Sequence, residues 1–175
     1  MALSRLIPLA TAAWLIAAPA LAQGRANPEV QREAMKKLAF LAGHWTGEAT
    51  VTLGPGPPVA LQQSEAVQFK LDGLLLLIEG TGRDVRTGAV VFNALATIAF
   101  DEASKTYRIR AFNDGNYVDT EFEVREKGFE WGFTSGPVVV KNSMTLDPAG
   151  QWIETTDVII NNGPARRTVE LRVRR

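Results

Sequence analysis

The chain has 175 residues, 46% of them hydrophobic and 22% charged, a globular composition long enough for one core and short for two. Its 19 basic residues balance 19 acidic ones, so no overall field steers nucleic acid or an anionic membrane toward it. The lack of cysteine excludes disulfides, thiolate metal sites, a cysteine nucleophile and lipid attachment through an N-terminal cysteine.

Met1 to Ala22 opens with Arg5, continues as an apolar run from Leu6 to Ala18, and ends on Pro19 and Ala20-Leu21-Ala22 before Gln23. A positive start, a short hydrophobic stretch and a small-x-small site form the pattern of a secretory signal. A membrane anchor needs about 20 apolar residues, more than this run supplies. Residues 1–22 are therefore expected to be cleaved, and the mature protein to be soluble and periplasmic or secreted, without stable membrane insertion.

Residues 23–43 read as an N-terminal segment and helix. Asn27 can cap, Pro28 suits the first helical position, and Glu29 and Glu33 sit near the positive end of the dipole. Val30, Ala34, Leu38 and Leu41 recur at spacings of four and three, predicting one helix that lays this stripe on the body and stops at Gly43. A helix so short is marginal alone, and it suits covering one end of a barrel.

From Trp45 the period changes to two, opening a domain expected over 44–175. Trp45, Gly47, Ala49, Val51 and Leu53 point one way, and His44, Thr46, Glu48, Thr50 and Thr52 the other. After the Gly54 to Pro58 loop, further strands are predicted over 61–71, 74–83, 90–100, 107–113, 117–125, 129–134, 138–146, 152–160 and 167–173. Turn formers separate them, among them Asp72-Gly73, Asp114-Gly115, Ser135-Gly136-Pro137 and Asn161-Asn162-Gly163. About ten strands at hairpin spacing with no helix between them predict an all-β antiparallel meander. It either splits into a sandwich or closes, and closure is preferred because it removes exposed edges.

Leu41-Ala42-Gly43-His44-Trp45-Thr46-Gly47 resembles the Leu-x-Gly-x-Trp-x-Gly opening of bacterial calycin-like barrels of unknown function, relatives of lipocalins, fatty-acid-binding proteins and nitrobindin-type haem barrels. Leu71-Asp72-Gly73-Leu74-Leu75, Phe100-Asp101 through Lys105, and Tyr107 to Asn113-Asp114-Gly115 match the same family's later punctuation, so the resemblance covers most of the mature chain. It implies an up-and-down calycin-like barrel with Trp45 plugging one end. In lipocalins an arginine near the last strand packs across that tryptophan, making Arg172 or Arg174 the candidate, although strand parity turns both outward. Haem-binding relatives place an inward histidine on a late strand, whereas His44 is the only histidine here. Tyr107, Tyr117 and Met144 remain as side chains able to ligate iron, but the expectation is a cavity without metal or other cofactor.

Catalytic patterns are sparse. His44 adjoins the structural tryptophan and faces away from it, and Gly132-Phe133-Thr134-Ser135-Gly136 has the wrong spacing for a nucleophile elbow. Asp119, Glu121 and Glu123 share one strand face and read as a solvated exterior, since side chains two apart on a strand do not converge on calcium. The basic stretch Arg166 to Arg175 reads likewise.

The informative residues are polar ones on inward faces. Glu65 and Gln63 share a face with Val67 and Phe69, Asn113 with Ile109, Asn142 with Val140 and Met144, and Glu154 with Trp152. A buried charge must be paired or shift its pKa, so Glu65 is expected either in a network with Arg83 or Tyr107, or as a ligand anchor with a raised pKa. Glu65, Tyr107, Asn113, Trp131 and Asn142 are the candidate ligand-binding residues. Three functions remain open: a binding barrel for a small, mostly apolar molecule, a barrel filled by its own side chains, and an enzyme using Glu65 as general acid or base.

Overall fold

The computed structural model describes Ala26 to Arg175 apart from Leu53. The expected secretion signal at residues 1–22 lies outside the described residues, as does the Leu53 position of the first strand. Helix α1 (Pro28–Met35) is capped by the Asn27 side chain, which accepts from the Glu29 and Val30 N–H groups at 3.0 and 3.4 Å.

The predicted single helix is in fact two pieces, because a 3₁₀ helix takes over at Lys36–Leu41. This also shifts the apolar stripe. A 3₁₀ turn aligns side chains three apart, so Met35, Leu38 and Leu41 are fully buried while Val30 stays exposed. Arg32 ties the helix to the barrel by donating to the Asp72 carbonyl at 2.8 Å, and the Tyr107 hydroxyl donates to the Ala34 carbonyl at 2.7 Å.

Ten strands follow: β1 (Gly43–Val51), β2 (Val59–Lys70), β3 (Leu75–Asp84), β4 (Val90–Asp101), β5 (Thr106–Asn113), β6 (Asn116–Arg125), β7 (Gly128–Ser135), β8 (Val138–Leu146), β9 (Trp152–Ile160) and β10 (Arg166–Arg174). Each pairs antiparallel with its chain neighbours, and β1 with β10, closing an up-and-down barrel. The β6–β7 seam is short. It runs from Arg125↔Gly128 to Phe122↔Trp131, beyond which the Thr120 hydroxyl reaches the Gly132 carbonyl at 2.9 Å.

Both glycines of the Gly-x-Trp-x-Gly stretch have a steric reason. Gly43 has φ of 137°, a region open to glycine and hostile to side chains. A methyl on Gly47 would lie 2.1 Å from the Arg172 carbonyl oxygen and 2.9 Å from Val173 Cα, backbone atoms of β10 that cannot swing aside. Gly47→Ala is therefore expected to strain the closing β1–β10 seam by about 2 to 3 kcal/mol. A urea midpoint equal to that of the parent protein would show that this seam is slack.

One end of the barrel is plugged by aromatic rings. Trp45 is 1% exposed, donates its indole N–H to the Leu41 carbonyl at 2.8 Å, and meets Trp152 edge-on at 5.4 Å. Phe129 in turn meets Trp152 at 6.0 Å and Phe122 at 4.9 Å. The arginine over Trp45 is neither Arg172 nor Arg174 but Arg175, its guanidinium 4.4 Å from the ring centroid and bonded to the Phe40 carbonyl. Arg172 and Arg174 are exposed on the outer face, as parity requires. Arg175 continues the inward parity of Leu171 and Val173 just past the end of β10, which places it across the plugged end.

The exterior carries the charge. Asp119 accepts from Arg108 and Arg110, and Asp157 from Arg167. Exposed to solvent and screened by salt, these cross-strand pairs contribute little to stability.

Candidate functional site

Above the aromatic plug lies a cavity of about 740 Å³. Room for it comes from small inward side chains on consecutive strands: Gly80 on β3, Ala94 and Ala96 on β4, and Ala111 on β5. Its wall is mostly apolar, with Phe92, Ile109, Trp131 and Phe133 among the larger contributors.

The floor is polar. Gln63 and Glu65 project inward from β2 opposite Gly82 and Gly80. A methyl on Gly80 would sit 2.8 Å from Glu65 Oε2, and one on Gly82 2.6 Å from Gln63 Oε1, so the two glycines make the space these side chains occupy. Gln63 Nε2 donates to Glu65 Oε1 at 2.7 Å. On β9 the Trp152 indole N–H donates to Glu154 Oε2 at 2.9 Å.

Burial dominates the electrostatics of both acids. Loss of water pushes the Glu65 carboxyl up to about 8; the Glu154 charge raises it further and the Gln63 hydrogen bond opposes the rise. Loss of water likewise pushes Glu154 up to about 7 against the Trp152 hydrogen bond. Close to neutral pH the pair thus holds a proton that an ordinary carboxyl would have lost. The expected network to Arg83 or Tyr107 does not form: Arg83 is exposed and donates to the Gly88 carbonyl at 3.3 Å.

Of the five sequence-predicted site residues, four line this cavity: Glu65, Asn113, Trp131 and Asn142. Asn142 is 6% exposed. Its Oδ1 accepts from the Thr156 hydroxyl at 2.6 Å, while its Nδ2 has no partner among the described residues. Asn113 is half-buried toward the opposite, open end and donates to the Asn93 carbonyl at 3.2 Å. Trp131 stacks with Phe133 at 6.5 Å.

Tyr107 lies apart from these four. It faces inward, but at the plugged end, where its hydroxyl binds the helix and its ring meets Phe100 edge-on at 5.1 Å. Alternation along β5 gives the face of the barrel and not the depth. Glu154, Gln63 and Thr156 are polar cavity-lining residues outside the predicted candidate set. The alternation Trp152-x-Glu154-x-Thr156 carried the signal for two of them.

No histidine lines the cavity, and Met144, one of the side chains able to ligate iron, is buried outside its lining. His44 is exposed on the outer face, and the cavity-lining positions of β9 and β10 are Glu154, Thr156, Val169 and Leu171. The Tyr107 hydroxyl is committed to Ala34, and Tyr117 stands 73% exposed at the open end. Among the described residues no group of three or more histidine, aspartate or glutamate side chains is placed to hold a metal ion. Ser135 is exposed in the β7–β8 hairpin, as its turn sequence predicts.

No protein-family model matches the chain, and no curated protein sequence matches it. Among solved structures it is similar to the crystal structure of Rv2717c from M. tuberculosis, with a TM-score of 0.62 and 12% identity over 81% of this chain and 96% of that one. At that identity the likeness concerns the fold alone: this chain is a ten-stranded closed antiparallel barrel with a solved structural neighbour.

Proposed function

We propose that this protein is an exported binding barrel that holds a small, mostly apolar molecule in its interior. The observation that carries the reading is the cavity of about 740 Å³ with an apolar wall and polar groups gathered on its floor, the usual make-up of a small-molecule site. A barrel filled by its own side chains would have spent that volume on packing. The residues that orient the ligand are Glu65 and Asn142 on the floor and lower wall and Asn113 near the mouth.

The test is direct. Protein purified gently from the exported fraction is expected to give a native mass beginning at Gln23 with an apolar small molecule retained. Ala111 faces the cavity between Ala96 and Val118, so Ala111→Phe fills part of it. That variant is expected to weaken binding of the neutral dye Nile red by about tenfold or more, with little change in thermal midpoint. Equal dye binding by the two proteins would remove the cavity as the site.

A second reading is an enzyme that uses the Glu65–Glu154 pair as an acid, favoured by carboxyls that stay protonated near neutral pH. It predicts that Glu65→Gln abolishes a turnover. A substrate released unchanged from the native protein argues for binding instead.

A further inference from the structure

The cavity on which the binding reading rests is chemically one-sided. Among the described residues lining it, the charged side chains are Glu65 and Glu154, and no lysine, arginine or histidine faces in. The neighbouring strands add none. Beside Glu65, β1 presents Trp45 and Gly47, and β3 presents Gly80 and Gly82. Beside Glu154, β8 presents Asn142 and Met144, and β10 presents Val169 and Leu171. Tyr117 at the mouth is the one further titratable group on the lining. Each acid receives a single hydrogen bond from the protein, from Gln63 and Trp152 respectively, out of roughly four that a carboxylate can accept.

Asn142 supplies an independent pointer. Its Nδ2 is buried without an acceptor among the described residues, and its residue lines the same cavity. A buried donor left unpaired is costly, so it calls for an oxygen brought from outside the chain. Asn142 pairs with Thr156, and Met144 with Glu154, so Asn142 and Glu154 are diagonal neighbours, roughly 7 Å apart along the inward face. Asn142 is the one nearer the mouth. Beside Asn142 on β7 stands the ring of Trp131, stacked with Phe133 further along the wall, surfaces that attract a cation as well as an apolar body.

We propose that the barrel takes a protonated amine that carries a nearby oxygen: the ammonium seats between Glu65 and Glu154, the oxygen accepts from Asn142, and the apolar body lies along the aromatic wall. This rests on the binding reading and names its head group. An ammonium brings the counter-charge that two buried acids lack. A carboxylate ligand would instead add a third negative charge. Seating the ammonium displaces the proton that the acid pair otherwise holds, so the ligand and protons compete.

Calorimetric titrations with 1-amino-2-decanol, decylamine, decanol and decanoate, each in two buffers of different ionisation enthalpy, test this. The amino alcohol is expected to bind about tenfold more tightly near pH 8.5 than near pH 5.5, with proton release near pH 7; decanoate is expected to show the reverse trend. The double variant Glu65→Gln with Glu154→Gln should lower amino alcohol affinity by about tenfold or more and flatten its pH dependence, leaving decanol within about twofold. Asn142→Leu should weaken the amino alcohol about fivefold and leave decylamine unchanged. Decanol equal to the amines at every pH, or decanoate tightest, overturns the amine assignment and leaves the binding barrel standing. Failure of all four probes to bind the unmodified protein overturns both.

Discussion

Trp45→Ala is expected to lower the unfolding free energy by about 3 to 5 kcal/mol, the range for emptying a fully buried large aromatic site. The indole is 1% exposed, and its removal would open a void beneath Leu41 and beside Trp152. Three further contacts go with it. The hydrogen bond to the Leu41 carbonyl joins the 3₁₀ helix to the barrel, the edge contact with Trp152 joins β1 to β9, and the Arg175 guanidinium loses the ring it covers. Urea denaturation measures the effect, and Trp45→Phe should recover part of it by refilling the volume. A loss under about 1 kcal/mol would show that the plug can collapse without its central ring.

Stability should fall, not rise, as pH increases from about 4.5 to 8, by on the order of 3 kcal/mol or more. The sign follows from Glu65 and Glu154, whose folded-state pKa values of about 8 and about 7 exceed the ordinary 4.5. Across that window the native state keeps protons that the unfolded chain has released. The contribution is therefore complete below the unfolded value and is lost as pH climbs through the folded ones. Asp119 and Asp157 behave oppositely. Hydrogen bonds from Arg110 and Arg167 lead the effects that hold their pKa values below the usual 3.8, so their stabilisation disappears only at still lower pH, outside the window.

Urea midpoints at pH 5 and pH 8 measure the difference. The double Glu65→Gln, Glu154→Gln variant should be nearly flat over this range and more stable than the parent at pH 8, since neutral amides escape the burial penalty. A parent protein equally stable at both values would mean that the two acids are hydrated or paired in solution. The same pair controls the competition between protons and the proposed amine, so ligand should stabilise the protein most where the empty protein is weakest.

Much of this architecture was legible in the chain. The period-two alternation from Trp45 onward and the turn residues at hairpin spacing marked ten strands, and parity alone put Glu65, Gln63, Asn142 and Glu154 inside and Arg172 and Arg174 outside. These inferences work because the two faces of a strand alternate strictly, so a residue's side follows from its count along the strand. The Gly-x-Trp-x-Gly stretch also marked the plugged end, where Gly43 needs a positive φ and Gly47 meets the β10 backbone.

What the sequence could not determine was depth and reach across the barrel. Tyr107 and Asn113 share a face of β5, yet one anchors the helix and the other lies near the mouth. Arg175 covers Trp45 from just beyond the last strand, and Glu65 meets the influence of Glu154 from a strand that is not its neighbour in sequence. The switch from α to 3₁₀ at Lys36, which buries Met35 in place of Val30, likewise depends on the surface it covers. Composition and periodicity therefore determined the strands, their faces and the closed sheet. Only closure in three dimensions decided which inward residues share a level, because strand tilt and register bring together positions that no local pattern relates.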